Sequence, residues 1–125
     1  MKYLCLVCYD EKTLDAMPKE EFEPFSEAHV ALDEELRRNG NSIVAEALQP
    51  VSTAVTVRVR NGKLSTTDGP FAETKEQLGG IYLIEARDLN DAIQIAAKIP
   101  AAGLGSIEVR PVWDLRRHEP RVGRG

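Results

Sequence analysis

His29 is one of two histidines in the 125-residue chain, and the other, His118, falls in a basic tail. Imidazole-driven proton transfer near neutral pH therefore rests on residue 29. Such a ring takes and returns a proton efficiently when a carboxylate fixes its tautomer and steadies its charged form. Two carboxylates are candidates for that partner. Asp10 closes the first apolar segment, close to where the first helical pattern begins, and Asp68 stands in the stretch TDGPFAETKE, residues 67–76. Each also has a plainer reading. A single histidine beside an apolar stripe is commonly a hydrogen-bonded core residue, and an aspartate at a strand end is commonly a turn residue.

The TDGPFAETKE stretch concentrates turn chemistry. The Asp68 carboxylate can accept from backbone N–H groups two residues on, Gly69 relieves crowding before the ring of Pro70, and Pro70 fixes φ, so a rigid, sharply turning loop is expected. Rigid loops on a scaffold often carry function, but a hairpin end uses similar residues, and both readings stay open. Phe71 is expected to anchor the loop into an apolar surface. Lys75 can neutralise an oxyanion or bind a substrate carboxylate, with Glu73 and Glu76 beside it; the plainer alternative is a salt-linked surface.

Other chemistries lack their signatures. Cys5 and Cys8 form a C-x-x-C pattern, but inside a strand, where an odd offset sends the sulfurs to opposite faces and the Cα atoms stand about 10 Å apart, so both are read as small core hydrophobes. No histidine pair has metal-ligand spacing, no serine sits in a G-x-S-x-G turn, and Gly103-Leu104-Gly105 follows a helix instead of opening one, so no metal or cofactor is expected. A net charge of −4 argues against nucleic-acid binding, despite Arg116, Arg117, Arg121 and Arg124 near the end. The longest apolar run, Tyr3 to Tyr9, is far below the roughly 20 residues of a membrane helix, and a cytoplasmic protein is expected.

These residues need elements to hold them. Lys2 to Tyr9 reads as a strand apolar on both faces. Pro18 opens a helix in which Phe22, Phe25, Ala28, His29, Leu32 and Leu36 recur at spacings of three and four, broken near Pro24 and ended by Asn39-Gly40. Ser42–Leu48 and Ala54–Arg60 follow as strands, the latter with Val55, Val57 and Val59 inward. Asn61-Gly62 marks a tight hairpin into Lys63–Thr67. Gly79-Gly80 is expected to close the loop before a strand over Ile81–Arg87. A helix capped by Asp88 comes next, with a stripe of Leu89, Ala92, Ile93 and Ala96, then a last strand over Ser106–Asp114. Strand, helix, strand, hairpin, strand, helix, strand is the ferredoxin-like α+β plan, two split βαβ halves with a hairpin insertion. Helices on one sheet face leave the other apolar and uncovered, so a homodimer packed sheet to sheet is expected. The domain is placed at residues 1–115 and a flexible basic tail at 116–125.

Asp68-Gly69-Pro70-Phe71-Ala72-Glu73-Thr74-Lys75-Glu76, followed by Gly79-Gly80 and an apolar strand, resembles the signature of the DGPF group within the YCII-related family. The opening YLCLVCYD, His29 and Glu108-Val109-Arg110-Pro111 agree with it. The resemblance, which covers residues 1 to about 114, implies the dimeric α+β barrel fold. It also implies, from a YCII-type relative that eliminates chloride from a chlorinated hydroxyquinol, a His/Asp acid–base pair. It further suggests an association with extracytoplasmic-function sigma factors. The expected function is a cofactor-independent lyase or isomerase acting on a small aromatic or carbonyl compound. In it His29 is general base and acid, Asp68 or Asp10 its partner, and Phe71, Glu73, Lys75 and Glu76 contact the substrate. The alternative is a non-catalytic module that binds a small molecule or regulates in concert with a sigma factor.

Overall fold

A computed structural model describes residues 1–121 of the chain; Arg124 of the basic tail lies outside the described residues. The elements run β1 (Lys2–Tyr9), α1 (Glu11–Asp15), α2 (Lys19–Arg38), β2 (Ser42–Ala47), β3 (Val55–Arg60), β4 (Lys63–Asp68), β5 (Gln77–Glu85), α3 (Leu89–Ala96) and β6 (Ser106–Pro111). Short 3₁₀ turns cover Val51–Thr53 and Pro100–Gly103.

The main sheet has strand order β2-β5-β1-β6, antiparallel throughout, which is the ferredoxin-like arrangement. Alternation sends Tyr3, Cys5 and Val7 of β1 to the helix-covered face, where they join Tyr82 and Ile84 of β5 and Leu32 and Leu36 of α2 in the core. From α3 and the residues after it the core takes Ala92, Ile95, Ala96, Ile99 and Ala101. The stripe on α3 is thus shifted from expectation: Ala92 and Ala96 are buried, but Leu89 and Ile93 are exposed and Ile95 replaces them. Three consecutive small or branched residues near the helix end made two faces equally apolar in the sequence.

Several boundaries also differ. The residues expected as a polar link after β1 fold into α1, with Asp10 as its N-cap. Pro24 does not break α2, which runs unbroken from Lys19 to Arg38. Pro24 and Glu20, whose carbonyl the missing N–H would have met, both lie on the exposed side near the helix start, where the freed group is open to solvent. The helix ends as expected, with the Asn41 N–H reaching back to the Leu36 carbonyl at 2.7 Å. Gly79-Gly80 lies inside β5 and closes no loop. Gly79 is the extra residue of a bulge: Val7 pairs with Gly80 and Cys8 with Leu78. The last strand stops at Pro111 instead of Asp114.

The β3–β4 hairpin is a separate two-stranded sheet, joined at Asn61 and Gly62 with φ of 53° and 76°, the left-handed pair of a type I′ turn. Its valines are not inward. Val55, Val57 and Val59 are about 60% exposed, while Thr56 and Arg58 on the opposite face are half-buried. Alternation identified the two faces correctly, but no residue of either strand joins the core, so an apolar face does not mean an inward one. Among the described residues no helix is long and apolar enough to cross a membrane.

Candidate functional site

A recess of about 310 Å³ opens between α2 and the helix-covered side of β1, β2 and β5. Its walls are aromatic and aliphatic: Tyr9, Phe22, Phe25, Val30, Ala45 and Tyr82 all contribute. The spacing on α2 explains the wall, since Phe22, Phe25 and His29 lie on one side of the helix at steps of three and four. A second recess of about 480 Å³ continues past Tyr9 toward Glu11, Asp15, Lys19 and Pro50, and both share Tyr9, Leu14, Phe22 and Leu48. The phenol of Tyr9 thus stands between two connected hollows. It lies across Gly79, because a Cβ at position 79 would fall on its hydroxyl and ring. Burial, then the carboxylates of Glu11 and Asp15, push the Tyr9 phenol upward.

His29 lines the first recess, with both ring nitrogens held by backbone. Nδ1 donates to the Phe25 carbonyl at 2.9 Å, and Nε2 accepts from the Ala101 N–H at 3.2 Å. A carbonyl can only accept and an amide N–H only donate, so the pair fixes the neutral Nδ1–H tautomer. The Phe25 ring meets the imidazole edge-on, centroids 4.7 Å apart. Burial lowers the His29 pKa, with the Phe25 bond acting weakly against it. The His29 carbonyl in turn accepts from the Tyr82 hydroxyl at 3.0 Å. Burial and then the nearby Asp33 push Tyr82 up to about 12, so it stays a neutral donor.

Neither expected carboxylate bonds this ring. Asp10 accepts from the Lys12 N–H at 2.9 Å and caps α1, the plainer of its two readings. Asp68 ends β4 opposite Val55 and is exposed. The loop after it is pinned by backbone, with the Gly69 N–H donating to the Ala54 carbonyl at 2.7 Å. Phe71 does not anchor that loop: it is 83% exposed. Glu73 and Lys75 are exposed, and Glu76 accepts from the Ser106 hydroxyl at 2.8 Å, tying the loop to the start of β6. None of Asp68, Phe71, Glu73, Lys75 and Glu76 lines either recess.

Two acidic residues line the first recess, Glu46 of β2 and, four residues after His29 on α2, Asp33. The two oxygens of Asp33 are engaged by the Ser42 hydroxyl and by the Arg37 Nε at 2.9 Å. Burial pushes Asp33 up, but those two hydrogen bonds and the guanidinium charge outweigh it and hold the acid below its usual range. Asp33 and Tyr9 were not singled out from sequence. An i, i+4 step from His29 would have flagged the first, and an aromatic ending the helix-facing set of β1 the second. Cys5 is fully buried, with its thiol pushed up to about 11 by burial, whereas Cys8 is half-buried on the other sheet face and belongs to no core. Among the described residues no three His, Cys, Asp or Glu side chains come together as a metal site.

The model of the YCII-related domain matches residues 1–116. The chain belongs to the YCII-related family. A curated relative, an uncharacterised protein of Rhizobium meliloti (strain 1021), is 38% identical over 114 residues, covering 90% of this chain and 92% of the relative. This YCII-related chain is thus similar to a protein of nearly its own extent.

Proposed function

We propose that this YCII-related protein binds a small, largely apolar or aromatic molecule in the recess between α2 and the sheet, working as a homodimer. One observation carries the reading: an aromatic-walled hollow of about 310 Å³ whose imidazole is fully occupied by backbone partners. A cavity with apolar walls and a few convergent polar groups is the usual form of a small-ligand site. With His29, Asp33 and Tyr82 bonded internally, shape and aromatic contact are left to select the ligand. The open sheet face, with Leu4, Leu6, Ile81 and Leu83 side by side, is the surface we assign to the second copy.

Saturation-transfer NMR with indole and p-cresol tests the binding. Both are expected to contact the protein, and Ala45→Phe, which fills the recess from β2, is expected to abolish the signal while the chain stays folded. Binding that ignores this substitution, or no binding of any small aromatic, would count against the reading.

An acid–base lyase or isomerase is a second reading, favoured by the presence of His29 in the wall of the recess. It requires Nε2 to exchange the Ala101 N–H for a substrate proton. Turnover lost in His29→Gln with ligand binding retained would move the assignment to catalysis.

A further inference from the structure

The polar side chains around the first recess have their hydrogen bonds committed within the chain. His29 is held at both nitrogens by Phe25 and Ala101, Tyr82 donates to the His29 carbonyl, and Asp33 accepts from Ser42 and Arg37. The Glu46 carboxylate points elsewhere, since the register puts residue 46 on the strand face of Ile81, opposite the one that Ala45 shares with Tyr82. Two hydroxyls remain. Ser26 is exposed on α2, whereas Tyr9 is half-buried at the passage between the two recesses.

Tyr9 differs from the other two tyrosines of the chain. The Tyr3 hydroxyl donates to the Met1 sulfur at 3.8 Å and the Tyr82 hydroxyl to the His29 carbonyl at 3.0 Å, but that of Tyr9 meets no hydrogen-bond partner among the described residues. Every buried side-chain nitrogen or oxygen among those residues is bonded, so this hydroxyl is one that a ligand can reach. Its place is set by the bulge, where Gly79 leaves the room that the ring lies across. Burial, with Glu11 and Asp15 beside it, keeps the phenol protonated, so the group has an O–H to give. Those two carboxylates line the second recess, where Lys19 turns to Glu23 at 3.6 Å.

We infer that Tyr9 selects the polar group of the ligand: its hydroxyl donates a hydrogen bond to an uncharged acceptor oxygen, a ketone or an aldehyde, on a molecule whose ring fills the first recess. A carboxylate is the stronger acceptor in isolation. At this passage it would stand beside Glu11 and Asp15, and like charge disfavours it. The inference rests on the small-ligand reading above and adds one directed contact to the shape and aromatic packing argued there.

NMR chemical-shift titration of the full chain with ethylbenzene, acetophenone and benzoate tests it, because the three share a ring and differ in the acceptor. The wild type is expected to bind the first two, and benzoate about tenfold more weakly than acetophenone. Tyr9→Phe keeps a ring over Gly79 and removes one oxygen. It is expected to weaken acetophenone about fivefold, the size of one neutral hydrogen bond, with no matching loss for ethylbenzene. Because the hydroxyl has no internal partner, the Tm of the variant should equal that of the wild type; a fall in Tm would assign the hydroxyl to the fold instead. If neither ethylbenzene nor acetophenone binds the wild-type chain, the small-ligand reading fails and this inference with it. If both bind and Tyr9→Phe weakens them equally, or leaves acetophenone unaffected, the role of Tyr9 alone is overturned. Benzoate bound as tightly as acetophenone overturns the uncharged acceptor.

Discussion

The Ala101 N–H donates to the Nε2 of His29 across 3.2 Å, joining the middle of α2 to the 3₁₀ turn that follows α3. Ala101 is 1% exposed, and the ring is the partner of its N–H. Together with the Nδ1 bond to Phe25, this makes the imidazole a strut between two layers of the molecule.

Removing that strut is expected to show first in stability. His29→Ala leaves the Ala101 N–H buried and unpaired, and urea denaturation should find a loss of about 1–3 kcal/mol. A loss of activity or binding with unchanged stability would contradict the strut.

The same ring predicts a pH dependence. Its folded pKa lies below the unfolded value, so the unfolded chain binds the proton first. The stabilisation is complete above the unfolded pKa, near 6.5, and declines as pH falls from there toward the lower folded value. Thermal melts between about pH 7.5 and 5.5 should fall in Tm for the wild type, with the slope much reduced in His29→Gln.

Asp33 gives an acid-side counterpart of opposite origin. Its folded pKa lies below that of a free aspartate, so its contribution is present above the unfolded pKa and is lost as pH falls through the folded pKa. Ser42→Ala removes one of the two hydrogen bonds responsible and should move acid unfolding to higher pH, read by far-UV circular dichroism.

Gly79→Ala should be costly for a reason local to one ring. The added methyl falls on Tyr9, and overpacking of this kind costs about 1–3 kcal/mol. Removing the ring in Tyr9→Ala should make the second change nearly free, so a double-mutant cycle should show strong coupling. Additive losses would mean that backbone conformation, and not the phenol, requires glycine there.

Thiol titration separates the cysteines. Native protein should yield one reactive thiol, Cys8, slower than a free cysteine because burial and then the charges of Glu108 and Glu76 raise its pKa. Cys5 should react only after unfolding.

Most of the fold was legible because its periodicities are clean. β1 is one unbroken apolar run, α2 repeats apolar residues at three and four, and Asn61-Gly62 admits one turn type. The errors arose where one residue type serves two purposes. Gly79-Gly80 looks like a loop closure, but Gly79 is a bulge that admits Tyr9, a contact between positions seventy residues apart that no local pattern carries. Pro24 looks like a break, yet an early exposed turn of helix tolerates it. The valines of β3 look like core because alternation fixes the two faces of a strand and not what each faces. The site was legible only in His29. Its bonding partners are two backbone groups, one of them on Ala101, and a backbone amide leaves no mark in a sequence.

The bulge at Gly79 has a mechanical corollary. β5 enters the sheet there one residue out of step, so everything upstream, from the hairpin to Gln77, is offset from the pairing that holds Gly80 to Glu85. Trimming or lengthening the excursion between β2 and β5 is expected to leave that pairing where it is. Relatives of different lengths are therefore expected to vary most in this one detour.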